Sequence, residues 1–504
     1  MRRSNFFMPM RRDTIRTSNS GTAKSDAYFD QLGYVHKIGA GIYTHLPAGY
    51  RLFGKVKTTL NKHLAAAGAA EHQFPALQPT SIWKESGRFD KFGAIMFNFL
   101  DQHGKEVSLA PTHEVLAAIT AKQYVKSYRD LPIRITQTQT KFRDEKRPRG
   151  GVMRTREFTM QDLYSFDAGV DAANVSYDLI VEAYQRTLTE LRIPFRVKQQ
   201  ADMGSIGGLR SHEFHVLAES GEDVFTDSAG QARSSIEIAH TFSLGTAYSE
   251  PVHATYADRE GTEQPIYMCS FGLGIERTAA SYVESYLQPG RDLVWSRALA
   301  PFPIMILGAA HKEAWRAFDS LSNAGYDPII DDREQISFSQ QWKEALLMGS
   351  PVCIVFGKRF ESDGQVELYT PRTKSSRFVD PDELMKTMTE VWREVEAVEL
   401  IEMSFKLALL SPATRVAVVS ITSPSDLESS YCAAVETGTD LLGNFAPKKR
   451  FNGAVRLKAG DYWIIPVLEQ PGMKSTPGHA RHGKVEYFLT PSLSEFTREH
   501  GLTR

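Results

Sequence analysis

The chain has 504 residues, 42% of them apolar and 24% charged, and a formal net charge of -1 at pH 7. Such a composition belongs to a multi-domain globular protein and excludes a disordered or uniformly basic chain, so any nucleic-acid partner must be met by a local basic patch. Cys269, Cys353 and Cys432 lie far apart without zinc or redox spacing, which argues against a disulfide framework and for a reducing cytoplasm; no apolar run approaches the roughly 18 residues of a membrane span.

The N-terminus, MRRSNFFMPMRRDTIRTSNSGTAKS, is Arg- and Ser-rich. It reads as an exposed arm or as a mitochondrial transit peptide, the arm being the plainer reading. From Ala48 to Ala69 apolar residues recur at helical spacing, with Gly68 as the stop. EHQFPALQP reads as a strand broken by Pro75 and Pro79. In LAPTHEVLAAI, Thr112 and Glu114 precede an apolar helix. They suit a helix cap with a first-turn acid, and equally a hydroxyl and a carboxylate gripping a small ammonium group.

Residues 134–145 (RITQTQTKFRDE) alternate as a strand, KRPRGG turns the chain, VMRTREFTM returns, and 170–191 read as a helix. Alternation would put Arg143 and Glu145 on one face, and Arg154, Arg156 and Phe158 on one face of the returning strand. Fixed guanidinium groups suit phosphate or carboxylate, and a nearby carboxylate suits an exocyclic amine. A salt-bridged, solvated hairpin accounts for the same charges. YMCSFGLGIERTAASYVE runs from an apolar strand through Ser270, Gly272 and Gly274 into a helix bearing Arg277, where glycines let a ligand approach the backbone. From Pro301, strands and helices alternate (FPIMIL, HKEAWRAFDSLSNAG, YDPIID, SQQWKEALLMG, PVCIVFG), which predicts a small α/β unit with parallel pairing. Residues 381–407 read as helical, and the last hundred as strand-rich.

Three ordered blocks resemble the signature motifs of class II aminoacyl-tRNA synthetases: a segment ending in Pro75, the FRDE hairpin, and GLGIER. More narrowly, GIYTHLPAGYRLFGKV, PTHE, TKFRDEKRPRGGVMRTREF, MGSIGGLRSHEFHVLAESGED, LGTAYSE and DDRE resemble the bacterial-type prolyl-tRNA synthetases over roughly residues 1–395. The resemblance implies an α/β (α+β) fold with an antiparallel-sheet catalytic domain (1–295), an α/β anticodon-binding domain (296–397) and an extension (398–504) without a counterpart in that family. It implies that proline and ATP form prolyl-adenylate and pyrophosphate, and that the prolyl group then passes to the 3′ end of tRNA(Pro). Positioning and charge stabilisation suffice for such chemistry.

By the same resemblance, Arg143 holds the α-phosphate and the proline carboxylate, Glu145 the adenine amine, Arg154 and Thr155 the outer phosphates, and Arg277 the γ-phosphate. Thr112 and Glu114 take the proline ammonium. Phe158, Met160, Phe242, Ser270 and Gly272 line the proline pocket, and His212 of SHEF is a further pocket candidate, equally readable as a structural histidine. Glu237 and His240 fall on the ATP or Mg2+ side, and Arg333 is the anticodon candidate. Relatives are homodimers with the first motif at the interface.

The sequence departs from the pattern in several places. Bacterial-type members usually carry an inserted editing domain after SGED, where this chain has only VFTDSAGQARSS. Editing in cis is therefore expected to be absent, which leaves room for a trans-editing protein. Ser270 stands where the family usually has cysteine, Cys269 where it has glycine, and Gly150 where an aromatic is common. QISFSQQW lacks a usual glycine. Cys432 alone cannot build the zinc site some relatives carry, so no zinc is expected. APKKR and HARHGK suit an RNA contact or a solvated loop. Two other functions fit these departures: a paralogue that activates proline or an analogue for a non-tRNA acceptor, and a non-catalytic RNA-binding or regulatory protein. The intact Arg143, Glu145 and Arg277 set argues against the second.

Overall fold

A computed structural model describes residues 1–11, 23–199, 206–226 and 230–408, and the backbone of five strands beyond Ala408. Cys432, the APKKR stretch, residues 12–22 and residues 227–229 of the SGED link lie outside the described residues.

Helix α1 (Pro47–Ala66) starts on a proline at its first turn and buries Leu52, Phe53, Val56, Leu60 and Leu64 along one stripe; Gly68 (φ 78°) ends it. Beside it lies an eight-stranded sheet: β1 (Ala70–Glu71), β2 (Ile133–Phe142), β3 (Glu157–Asp167), β4 (Phe195–Gln199), β5 (Arg210–Leu217), β6 (Asp223–Thr226), β7 (Ala232–Gly245) and β8 (Tyr267–Gly274). The order is β1-β2-β3-β8-β7-β5-β4, with β6 paired to β7. All pairings are antiparallel except β1 with β2.

The alternation of β8 shows how the sheet divides its two faces. Cys269, Phe271 and Leu273 enter the core formed with α1, α3 (Val170–Glu190) and α4 (Ile275–Tyr286). Met268 packs on the other side with Tyr164, Phe166, Phe242 and residues of α2 (Glu114–Tyr124). On that second face Ser270 and Gly272, too small to fill the space, leave the sheet open.

A second sheet comprises β9 (Ile304–Leu307), β10 (Pro328–Ile330), β11 (Val352–Val355), β12 (Val366–Thr370) and β13 (Ser375–Val379), in the order β10-β9-β11-β12-β13. Its helices are α5 (Lys312–Asn323), α6 (Phe338–Met348) and α7 (Leu384–Ala408). The parallel half is the one the sequence predicts; β12 and β13 add an antiparallel hairpin that the sequence reading did not find. Arg51 and Lys55 on α1 meet Asp327 at 2.6 and 3.0 Å, tying the two units together.

The N-terminal segment is not a free arm. Met1–Arg11 packs across the molecule: Ile330 N–H donates to Met1 O at 3.0 Å, and Phe6 meets the ring of Phe302 edge-on at 5.0 Å. The backbone beyond Ala408 forms an antiparallel five-stranded sheet in the order Val455–Arg456, Tyr462–Leu468, Thr414–Ile421, Val485–Leu489, His479–His482, in line with the strand-rich reading. No helix among the described residues is long and apolar enough to cross a membrane.

Candidate active site

The open face of the first sheet holds a cavity of about 350 Å³. Three groups of side chains meet in it or, in the case of Glu213, beside it.

The first is anionic. Glu114 opens α2, is buried, and receives Thr112 Oγ1–H on Oε2 at 2.6 Å and Ser270 Oγ–H on Oε1 at 2.9 Å. Burial pushes its carboxyl up, and the hydroxyl donors pull against that. Among the described residues no cation pairs with it, so its charge is oriented but not cancelled. Phe158, Met160 and Phe242 wall this end. Gly272 keeps it open, since a Cβ there would stand 3.3 Å from Met160 Sδ.

The second group is cationic. Arg143 donates Nε–H to Pro111 O at 3.3 Å and lies 5.3 Å over the Phe158 ring. Arg277 donates Nε–H to Met153 O at 2.9 Å and Nη1–H to Glu237 O at 2.8 Å. Both lean on neutral carbonyls. Burial first, and the Arg277 field second, work against the charge of Arg143, as expected of two guanidinium groups awaiting an anion. At the mouth, Arg154 pairs with Glu145 at 2.8 Å and with Glu222, which also takes Arg149. Burial raises the Glu145 carboxyl, but the hydrogen bond from Arg154 outweighs it and the net shift is downward. Thr155 lies beside them and donates its hydroxyl to Glu157 O at 2.9 Å.

The third group is Glu213, Glu237 and His240, whose donor atoms lie within 4.8 Å of one another. Burial raises the Glu237 carboxyl, yet the His240 hydrogen bond and Arg277 hold it down to about 2. His240 stacks on Phe242 at 3.9 Å, and its Nε2 is buried without a hydrogen-bond partner. Two carboxylates and an unpartnered imidazole nitrogen fit a divalent cation that keeps part of its water shell. The sequence reading missed Glu213. The pairing of β5 with β7 sets it opposite His240, a register that no local motif records.

Two candidates fall outside the cavity. His212 Nδ1 bonds Tyr177 Oη at 2.7 Å, and burial, then Arg210, lowers its pKa to about 4. Arg333 sits in the second unit, gripping Asp331 (2.6 and 2.8 Å) and Glu344 (2.8 Å).

The hairpin geometry differs from simple alternation. Strand β2 ends at Phe142, so Arg143 and Glu145 lie beyond it. The cause is Asp144 N–H, which donates to Ile95 O at 2.8 Å and pulls the chain out of the ladder. On the return, Gly150 and Gly151 (φ 65° and 61°) make a left-handed turn into a 3-10 turn, Gly151–Met153, and β3 begins only at Glu157. Arg154 therefore precedes the strand, while Phe158 and Met160 lie on it at alternate positions and both face the cavity.

Beneath the cavity lies a buried network that the sequence reading also missed. Lys141, fully buried, pairs with Asp162 at 2.7 Å and donates to His113 Nδ1 at 2.8 Å; His113 Nε2–H donates to Pro75 O at 3.1 Å. Tyr164 Oη–H donates to Asp162 at 2.8 Å and accepts His113 N–H at 3.0 Å. Burial, and then Lys141, lowers the His113 pKa to about 4, so the ring is neutral and its tautomer fixed. His113 caps α2, so this network holds the backbone that presents Glu114.

Comparisons with known proteins agree with the geometry. Residues 97–286 match the tRNA synthetase class II core domain (G, H, P, S and T), and 303–391 match the anticodon binding domain. A proline–tRNA ligase of Maricaulis maris (strain MCS10) is 32% identical over 445 residues, covering 77% of this chain and 99% of that one. That of Agrobacterium fabrum (strain C58 / ATCC 33970) is 33% identical over 429 residues, covering 74% and 96%. Two solved structures share the fold: Giardia lamblia prolyl-tRNA synthetase in complex with prolyl-adenylate (TM-score 0.68, 17% identity, 90% of this chain and 100% of that one) and the Cryptosporidium parvum enzyme complexed with halofuginone and AMPPNP (TM-score 0.67, 15% identity, 89% and 96%).

Proposed function

This chain belongs to the proline–tRNA ligase family of aminoacyl-tRNA synthetases, and on that premise we propose how its cavity divides the work. One observation carries the reading: a buried carboxylate with no cation on it, Glu114, shares an open sheet face with two guanidinium groups held only by carbonyls, Arg143 and Arg277. Proline offers a secondary ammonium and a carboxylate, and ATP offers a polyphosphate. The cavity has a complement for each.

Glu114, held by Thr112 and Ser270, takes the ammonium. Arg143 takes the proline carboxylate and the α-phosphate together. A carboxylate oxygen attacks the α-phosphorus in line, the bond to the bridging oxygen breaks, and pyrophosphate leaves. Arg154 and Thr155 hold the outer phosphates, and Arg277 the terminal one. Glu145 releases Arg154 as the nucleotide enters and accepts from the adenine amine. A hydroxyl of the terminal ribose of tRNA then attacks the prolyl carbonyl, and AMP departs. Preorganised guanidinium groups stabilise charge that develops on phosphate without reorganising. Glu213, Glu237 and His240 would hold Mg2+, which offsets phosphate charge when bound.

The domain limits drawn from the sequence, 1–295 for catalysis and 296–397 for the anticodon, stand as part of this proposal, with the loop of Arg333 as the anticodon contact. A homodimer, a cytoplasmic location and a separate trans-editing protein belong to it too. Only residues 227–231 join β6 to β7, too few for an inserted editing domain. A pocket without editing discriminates each missing methylene by only about 10–200-fold, so alanine, which is smaller than proline by two ring carbons, should be activated weakly but measurably.

The test is ATP–pyrophosphate exchange on the purified protein with each standard amino acid in turn. Exchange driven by proline, more weakly by alanine, is the expected result. No exchange with any amino acid would overturn the reading.

A further inference from the structure

The first residues of the chain reach into the unit that contains β9 to β13. Met1 O accepts from Ile330 N–H and Arg2 makes a single parallel bridge to Ile330 on β10, the outer strand, before Arg3–Asn5 turns as a 3-10 helix. Ser4 then stands just past the carboxyl end of β10. Its backbone N–H donates to Asp332 Oδ1 at 2.8 Å and its hydroxyl to Oδ2 at 2.7 Å. The Arg2 guanidinium lies 4.7 Å over the Trp315 ring, and buried Arg3 comes within 3.9 Å of Glu344.

In open α/β sheets ligands bind in the crevice outside the carboxyl ends of the strands. Asp331, Asp332 and Arg333 occupy that place after β10, and Glu344 on α6 closes the cluster through Arg333. A backbone bridge to an edge strand fixes where the segment sits, and two donors on one carboxylate set its orientation. Ser4 supplies both donors from a segment whose later residue Met8 is buried in the core that also takes α1, α3 and α4.

We propose that Arg2–Ser4 is a positioning segment for tRNA recognition by loop 331–334, with Ser4 a positioning residue that acts through Asp332. The inference rests on the anticodon role of this unit and adds to it that Arg2–Ser4 sets the affinity of a loop more than three hundred residues away.

The experiment uses the full chain with Ser4→Pro, which removes N–H and hydroxyl together, Ser4→Ala, which removes the hydroxyl, and Ser4→Thr, which keeps both. Each is assayed for proline-dependent ATP–pyrophosphate exchange and for aminoacylation across tRNA(Pro) concentrations. The KM for tRNA should rise about tenfold in Ser4→Pro and about threefold in Ser4→Ala, as expected for lost hydrogen bonds to a charged group. Ser4→Thr should match the unaltered chain, and kcat and exchange should hold in all three. An unchanged KM for tRNA in Ser4→Pro overturns the proposal. So does a parallel fall of exchange and aminoacylation, because the segment would then serve the fold at large. Absent exchange in the unaltered chain overturns the assigned function, and this inference with it; intact exchange isolates the failure to the segment.

Discussion

Arg277 and Arg333 are the same residue type in the two units, one on helix α4 and one in the loop after β10, and they are held by opposite chemistry. Arg277 leans on two backbone carbonyls in the cavity, whereas Arg333 is clamped by the carboxylates of Asp331 and Glu344. A carbonyl orients a guanidinium and leaves its charge in place; a carboxylate orients it and cancels the charge. Arg143 follows Arg277: burial works against its charge, while the bond to Asp331 raises the pKa of Arg333. The partner type therefore separates an arginine awaiting a ligand anion from one that shapes a loop.

Lys141 extends the carboxylate-held class to full burial, so it should give the largest effect. Lys141→Met leaves Asp162 buried without its cation, and thermal or urea unfolding should show a loss of about 3–5 kcal/mol. A loss under about 1 kcal/mol would break the comparison. Arg277→Ala should lower exchange by roughly a hundred- to a thousand-fold while the melting temperature stays near that of the unaltered chain. Arg333→Ala should do the reverse, costing about 2 kcal/mol of stability with exchange preserved. Equal stability losses in the two arginine variants would erase the distinction.

The smallest expected effect concerns a carboxyl with no cation at close range. Glu276, buried on α4, accepts from Thr159 N–H at 3.1 Å and has His45 at 3.7 Å. Burial raises its pKa from 4.5 to about 7. A carboxyl raised on folding stabilises the native state below its ordinary value, and that contribution is lost as pH rises through about 7. Glu276→Gln should therefore narrow the difference in melting temperature between pH 6 and pH 8, by about 2–4 °C. An unaltered difference would mean that Glu276 does not titrate in this range.

Much of this arrangement is written locally in the sequence. The helical stripe of α1, the alternation of β3 and the glycines of β8 follow from residues a few positions apart, whereas the places of Phe158, Met160 and Ser270 in the cavity are expected from the family resemblance. Glu213 and the Lys141–Asp162–His113 network do not, because their partners are set by pairing between distant strands. Lys141 lies on β2 among polar residues, Gln137 and Gln139, that are themselves buried. An alternation of glutamine and threonine looks solvated, yet each side chain finds its partner only once the sheet exists. The charged hairpin misled in a smaller way: the strand ends at Phe142 because Ile95, from a separate element, captures the amide of Asp144. The tethering of the first residues to β10 left no periodic trace at all.

That tether has a consequence for the order of events during synthesis. Ser4 emerges from the ribosome early and must wait for Asp332, 328 residues later. At synthesis rates of about 5–20 residues per second the delay is roughly 15–65 seconds, long compared with the folding of a domain. The catalytic sheet, complete by Gly274, can close while the Arg2–Ser4 segment is still without its partner. Docking of that segment then becomes a late, high-contact-order step, and it marks the moment at which both halves of the enzyme are present on one chain.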